Sequence, residues 1–120
     1  MLKINNLKKS YDNDIVLSGI NFKLNTGEIV AVMGPSGCGK STFIRTINRL
    51  VEPDSGEIYF KDIPIHSLKS RELEEVRQNI GFVFQHFNLI TRLNVKQNVA
   101  LGLIKKGYSI EEAYQKAVLA

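Results

Sequence analysis

The sequence predicts an α/β fold in which an antiparallel β layer is joined to a buried strand and an amphipathic helix. Residues 2–4 and 20–24 alternate between apolar and polar side chains, as the residues of half-buried antiparallel strands do. Residues 29–33, with the sequence IVAVM, are apolar on both faces, which favours a strand buried inside a parallel sheet. Apolar side chains then recur at helical spacing between residues 43 and 50.

The other elements are predicted from periodicity, turns and capping signals. NTGE at residues 25–28 predicts a turn, and residues 57–60 predict a further strand. Apolar positions between residues 73 and 80 predict a helix, and GFVF at residues 81–84 predicts a second buried strand. Two later helices are expected to begin at capping boxes, and the sequence is expected to end inside the second. These boxes are Asn94 with Gln97 and Ser109 with Glu112.

Length, composition and charge indicate a single domain that neither spans a membrane nor binds nucleic acid. At 120 residues with 43% hydrophobic content, the chain is long enough for one domain with its own core. A single cysteine and the absence of a signal-peptide pattern predict a reducing, cytoplasmic setting. No apolar run approaches the roughly 20 residues of a membrane-spanning helix. The net charge is +4, but sixteen basic residues are interleaved with twelve acidic ones, so no nucleic-acid partner is expected.

The segment GPSGCGKST, residues 34–42, joins the first predicted buried strand to the predicted helix. Glycine adopts backbone conformations that a Cβ atom forbids, so Gly34, Gly37 and Gly39 allow successive backbone N–H groups to point toward one anion. The start of the following helix presents further unpaired N–H groups and the positive end of its dipole. The segment is therefore predicted to bind a polyphosphate mainly through its backbone.

Side chains at the end of this loop complete the pattern GxxxxGK[ST], which indicates a nucleoside triphosphate. Lys40 adds a positive charge for the β- and γ-phosphates and is a candidate catalytic residue, while the Ser41 hydroxyl is a candidate ligand of Mg²⁺. The alternative is a glycine-rich turn beside an ordinary surface lysine, which the flanking strand and helix disfavour. The candidate nucleotide-binding residues of the loop are Gly34, Pro35, Ser36, Gly37, Cys38, Gly39, Lys40, Ser41 and Thr42.

Four segments carry a resemblance to a known family. They read LSGINFKLNTGEIVAVMGPSGCGKSTFIRTINRL, PDSGEIYFKD, IGFVFQHFNL and LNVKQNVALGL, in this order along the chain. In order and spacing they resemble the N-terminal half of the ATPase subunit of ATP-binding cassette (ABC) transporters. The resemblance implies a phosphate-loop NTPase core with an antiparallel β subdomain, and ATP as the nucleotide. It places residues 1–120 in the N-terminal part of a single ATPase domain, with the start of its helical subdomain at about residues 86–120.

The resemblance also implies residues that hold the adenine base. Tyr11 falls where the family places an aromatic ring against the base, and a flat ring can stack without reading the edge of the base. A strand-end tyrosine that anchors the sheet is the alternative. Val16 would line the same apolar pocket, although an alternating strand residue is equally explained as part of the core.

Gln85 matches the glutamine of the family's Q-loop, which implies a catalytic role and contact with Mg²⁺ or the attacking water. An amide oxygen suits this role because it binds an ion without adding charge, and a solvated strand-end glutamine is the alternative. The apolar residues between Phe87 and Leu93 lie where the family receives a short helix from the membrane subunit. A small satellite core beneath a loop is the alternative for that stretch.

The resemblance implies that the chain lacks the later elements of the family, since the signature segment LSGGQ, the Walker B strand with its catalytic glutamate and the switch histidine do not occur in it. The chain alone is therefore expected to be catalytically incompetent. The implied partners of the complete subunit are a second ATPase subunit in a head-to-tail dimer, transmembrane permease subunits contacted after Gln85, and a solute-binding protein. The implied location is the inner face of the cell membrane.

The segment FQHFNLITRLNVKQNVALGL is most similar to subunits that serve importers of polar amino acids, methionine or phosphonates. ATP hydrolysis coupled to import of a small polar solute is therefore the expected function, although exporter and lipoprotein-release relatives share much of the segment. A soluble ABC-type ATPase with a nucleic-acid or ribosome role is the alternative. A non-catalytic binding piece is the third possibility.

Overall fold

The structure is a computed structural model that describes residues 1–119. The chain divides into two compact units, Met1–Ile80 and a second that starts at Gly81. A four-stranded sheet, two helices and the glycine-rich loop belong to the first unit, and two helices belong to the second. The elements are β1 (Leu2–Tyr11), β2 (Asp14–Leu24), α1 (Lys40–Ile47), β3 (Ser55–Phe60), β4 (Ile63–Pro64), a 3-10 turn (Ile65–Ser67), α2 (Ser70–Arg77), α3 (Val95–Lys105) and α4 (Ile110–Val118).

The sheet is antiparallel, with the strand order β2-β1-β3-β4. Leu2 and Ile4 of β1 are buried, and they pair with Leu24 and Phe22 of β2. The period-two pattern therefore placed these strands correctly, with Phe22 and Leu24 partly buried against the core, but Ile20 of the predicted buried face is 36% exposed. The predicted turn after β2 also forms, because the Glu28 carboxylate accepts a hydrogen bond of 2.6 Å from the Asn25 backbone N–H.

One apolar core joins the sheet to the helices of the first unit. Phe22 of β2 meets Phe43 of α1 edge to face, with ring centroids 5.7 Å apart, a geometry that aromatic pairs favour. This contact helps to fix α1, and with it the end of the glycine-rich loop. The buried members of the core are Leu2, Ile4, Leu7, Leu17, Phe43, Ile58, Ile65, Leu73 and Val76.

The two buried strands predicted at residues 29–33 and 81–84 do not form. Ile29 is 98% exposed and Val83 is 96% exposed, and neither segment is a strand within residues 1–119. A strand of a parallel sheet needs hydrogen-bonded neighbours and cover on both faces. Over residues 1–119 the sheet is made only of β1 to β4, and neither segment pairs with it.

Helix α1 forms as predicted, but its buried face differs from the predicted one. Phe43 is buried as expected, whereas Ile44 and Leu50 are 43% and 47% exposed. Thr46 and Asn48, the residue that follows the helix, are buried instead. Their polar groups are satisfied locally, since the Thr46 hydroxyl donates to the Phe43 carbonyl at 2.7 Å and the Asn48 side-chain oxygen accepts from the Leu50 N–H. Short-range hydrogen bonds thus allow polar residues on the inner face.

The second unit is built from α3 and α4, and both predicted capping boxes are confirmed. Asn94 and Gln97 accept hydrogen bonds from each other's backbone N–H groups at 2.9 Å, and Ser109 and Glu112 do so at 3.1 and 3.3 Å. Ala100 and Ala113 are fully buried. None of the helices within residues 1–119 has both the length and the apolar character needed to span a bilayer.

Candidate functional site

The loop at residues 34–42 leads directly into α1, which begins at Lys40. Gly34, Gly37 and Gly39 have φ angles of 156°, 81° and 91°. The last two angles lie in the left-handed region, where a side chain would be strained. The loop backbone therefore has the kind of conformation that the sequence predicts for an anion-binding loop.

Gly39 also allows the loop to approach β2 closely. A Cβ atom at this position would lie 2.8 Å from Val16 Cγ1 and 3.0 Å from the Val16 carbonyl oxygen. Val16 has no partner residue on β1, because the register shifts between Lys9 and Ser10. A bulge of this kind redirects a side chain. Val16 is half-buried and packs against the core, so it holds the loop against the β1–β2 hairpin.

The Lys40 ammonium lies within the curve of the loop. Lys40 Nζ donates hydrogen bonds to the carbonyl oxygens of Gly34, at 2.8 Å, and Pro35, at 2.6 Å. It also lies 3.6 Å from Cys38 Sγ. A charged phosphate oxygen is a stronger acceptor than a neutral carbonyl, so a bound phosphate would compete for this ammonium where it already lies.

The first turn of α1 has neither a side-chain cap nor an acidic residue. Its N-cap is Gly39, which offers no side chain, and the hydroxyl residues Ser41 and Thr42 follow within the turn. Unpaired N–H groups and the positive end of the helix dipole favour an anion at such a position. The loop and the helix start together form one candidate anion site in the first unit.

Tyr11 is the last residue of β1 and is 47% exposed. Lys9 Nζ lies over its ring, 5.3 Å from the centroid. Residues two apart on a strand share a face, which explains why these two side chains meet. Tyr11 of β1 and Val16 of β2 lie on the same hairpin, and Val16 lies against the loop at Gly39.

Sequence reasoning missed Asp54, which ties the end of β1 to the segment before β3. Its carboxylate accepts hydrogen bonds from Lys9 Nζ at 2.7 Å and from the Ser10 N–H at 2.6 Å. The hydrogen bond from Lys9, followed by that from Ser10, lowers the pKa of Asp54 below its usual value. Asp54 and Lys9 are 45 residues apart in the sequence, so no local spacing could have indicated this contact.

An apolar pocket of about 350 Å³ adjoins the loop. It lies between β2, the exposed segment at residues 30–33 and the start of α1, and its lining includes Lys40 and Cys38 beside mostly apolar residues. A mostly apolar wall cannot solvate phosphate charges. The backbone groups of the loop, rather than this pocket, are therefore the candidate phosphate site.

Gln85 lies in the second unit, exposed at a bend. The structure therefore groups the loop residues with Tyr11 and Val16 in one unit and Gln85 in the other.

Farther along the second unit is an apolar cleft of about 340 Å³. Asn98 supports it, because its side-chain nitrogen donates to the carbonyl oxygens of Ile90 and Leu93. The cleft is lined by Leu89, Ile90, Thr91, Leu93, Val95, Asn98 and Val99.

Comparison with protein families places residues 17–119 within the family described as "ABC transporter". Among similar proteins, the "Phosphonates import ATP-binding protein PhnC 2" of Haloarcula marismortui is 47% identical over 103 residues, which are 85% of this chain and 38% of that protein. The "Methionine import ATP-binding protein MetN" of Helicobacter pylori is 45% identical over 104 residues, which are 86% of this chain and 32% of that protein.

Two solved structures resemble the fold. A dimeric post-hydrolysis state of the ATP-binding cassette MJ0796, bound to ADP and Pi, matches with a TM-score of 0.90 and 40% identity over 98% of this chain and 54% of its own. The protein cbiO1 from Clostridium perfringens, part of the ABC transporter complex cbiONQ, matches with a TM-score of 0.76 and 32% identity over 95% of this chain and 46% of its own. The chain spans between about a third and about half of the length of these relatives. These matches confirm the predicted fold class.

Proposed function

Because this chain belongs to the ABC transporter family, we propose that its loop at residues 34–42 binds the phosphates of ATP in the ATPase subunit of an ABC transporter. The position of the Lys40 ammonium carries this proposal. It lies inside a loop of left-handed glycines, directly before an uncapped helix start. Backbone N–H groups, the helix dipole and the charge of Lys40 then act on the same anion.

For the base, the proposal places adenine on the exposed ring of Tyr11. Val16 would contribute an apolar wall, because the bulge on β2 places it where the hairpin meets the loop. The contact between Asp54 and Lys9 beside Tyr11 leaves 47% of the tyrosine exposed, so the ring has surface available for stacking. Stacking on a ring does not read hydrogen-bonding edges, and the site therefore favours a purine without strong selection among purines.

Hydroxyl and amide oxygens are ligands that Mg²⁺ accepts, so the proposed site includes this ion. Mg²⁺ takes oxygen ligands and binds in such sites through few protein groups, with phosphates and waters completing its shell. We propose the Ser41 hydroxyl as the ligand that the loop supplies and, on the family resemblance alone, the Gln85 amide oxygen as a second; both side chains are exposed. When bound, the ion would neutralise charge on the β- and γ-phosphates. Lys40 would orient the γ-phosphate, and Gln85 would orient the attacking water.

For the complete subunit, we propose that ATP hydrolysis drives import of a small polar solute across a cell membrane. The names of the two similar proteins, which concern phosphonates and methionine, support this solute class. The proposed assembly contains a second ATPase subunit, permease subunits and a solute-binding protein, at the cytoplasmic face of the membrane. Residues 1–120 would form the N-terminal part of the ATPase domain, with the helical subdomain starting at about residues 86–120.

The proposed contact with the permease lies after Gln85. Phe87 is 90% exposed and Leu89 is 64% exposed, which disfavours the alternative of a satellite core for these two side chains. Leu89 also lines the cleft near α3. Exposed apolar side chains beside an apolar cleft are typical of a protein-binding surface.

Cys38 provides a direct test of nucleotide binding in the loop. It is an exposed free thiol, and the sequence contains no other cysteine. We expect a maleimide to label it, and saturating Mg-ATP to slow the labelling. At a nucleotide concentration ten times Kd, labelling should slow about tenfold, because only the free fraction reacts. The rate is measured by mass spectrometry, with Cys38→Ser as the unlabelled control. Equal rates with and without Mg-ATP would show that the phosphates do not enter this loop.

A further inference from the structure

The ring of Tyr11 is held by contacts that the proposed nucleotide site does not by itself require. Lys9 Nζ lies 5.3 Å from the ring centroid, and the same ammonium bonds Asp54 Oδ1 at 2.7 Å. The Lys9 side chain is only 15% exposed, although lysine side chains normally extend into water. The ammonium is therefore fixed between a carboxylate and an aromatic ring.

Asp54 is itself held in place by two backbone contacts with β1. Its Oδ2 accepts from the Ser10 N–H at 2.6 Å, and its own N–H donates to the Lys8 carbonyl at 2.9 Å. These bonds join the connection between α1 and β3 to the end of β1. The carboxylate thus occupies a fixed point on the strand that carries Tyr11.

Stability alone does not account well for this arrangement. A partly exposed ion pair contributes little to folding, and ordering a long lysine side chain costs entropy. A fixed cation over one face of a ring does, however, restrict how that ring can turn. A ring that is already oriented loses less entropy when a base stacks on it.

We infer that Lys9 and Asp54 are positioning residues for the base, which hold the Tyr11 ring ready to stack on the purine. This inference rests on the proposed function, since it assumes that a nucleotide binds with its base on Tyr11. Asp54 fixes Lys9, Lys9 covers one face of the ring, and the remaining face receives the base. Neither residue touches the phosphates in this scheme.

The test compares ATP with inorganic tripolyphosphate, which has the phosphates but no base. Lys9→Met keeps the length of the side chain and removes the ammonium. In the 120-residue chain with Mg²⁺, it should raise Kd for ATP by about two- to fivefold, the range of a single cation–π contact. Kd for tripolyphosphate should stay within twofold. Lys8→Met, which removes an equal charge from the exposed neighbour on β1, should change neither value.

A double-mutant cycle separates positioning from a merely structural effect. Tyr11→Ala alone should weaken ATP and GTP alike, and Lys9→Met should cause no further loss in that background. Asp54→Asn removes the charge that fixes Lys9 and should likewise weaken binding of ATP without weakening that of tripolyphosphate. It is a second variant for the case that Lys9→Met does not fold. Equal weakening of ATP and tripolyphosphate, additive losses in the cycle, or unchanged ATP binding would overturn the inference. The proposed function fails separately, if Lys40→Ala changes neither ligand's affinity.

Discussion

Replacing Lys40 by alanine is expected to weaken binding of Mg-ATP by roughly 10- to 150-fold. The substitution removes a charged hydrogen-bond donor, and such bonds contribute about 1.5 to 3 kcal/mol. The effect is expected to be large because the ammonium already lies inside the loop, 2.8 Å from the Gly34 carbonyl oxygen. The measurement is a calorimetric titration of Mg-ATP into the chain and into the variant.

Two controls make this result specific. Lys8→Ala removes the same charge from an exposed position on β1 and should leave the affinity unchanged. The substitution also removes the two hydrogen bonds from Lys40 to the loop carbonyls, so the fold of the variant must be checked. Circular dichroism should show that the Lys40→Ala variant keeps its fold. Unchanged affinity in a folded variant would contradict the assignment of residues 34–42 as the phosphate site.

The second large effect concerns turnover by residues 1–120 alone. We expect the chain to release phosphate from ATP at least about 10² to 10⁴ times more slowly than a complete subunit, which is the usual effect of losing a general base. The loop, Lys40 and Ser41 can position phosphates, but phosphoryl transfer also needs groups that orient the water and stabilise charge on the γ-phosphoryl oxygens. The resemblance assigns those groups to the glutamate after Walker B and to the signature segment of a partner subunit.

Phosphate release by purified residues 1–120 is compared with that of a full-length relative under the same conditions. The Lys40→Ala variant of the chain measures any contaminating ATPase. Turnover that matches the full-length protein and depends on Lys40 would show that these residues supply the complete catalytic set.

Local patterns predicted the antiparallel part of the fold and the starts of the later helices. The alternation in β1 and β2 reflects one buried face, and Asn94 and Ser109 cap helices through residues three positions away. Such interactions are set by neighbouring residues, so they can be read from a short window of sequence.

The predictions that failed, and the contacts that were missed, depend on distant residues. Residues 29–33 have the composition of a buried parallel strand, but within residues 1–119 no neighbouring strand pairs with them. Asn48, the residue that follows α1, is buried, and its carbonyl accepts a hydrogen bond of 2.8 Å from Arg77 of α2. Asp54 and Lys9 meet only because β1 and the segment before β3 lie side by side. The loop motif was readable because one continuous segment carries it, whereas these contacts require the fold.

The central claim is that the backbone of residues 34–42 binds the phosphates of ATP, and amide NMR chemical shifts test it most directly. On addition of Mg-ATP, the largest shift changes are expected at the amides of Gly37, Gly39, Lys40 and Ser41, because charged acceptors form the strongest hydrogen bonds with N–H groups. The amides of Gly107 and Tyr108, in the turn between α3 and α4, serve as an internal reference and should stay unchanged. Saturable binding of Mg-ATP that leaves the amides of residues 34–42 unperturbed would contradict the account.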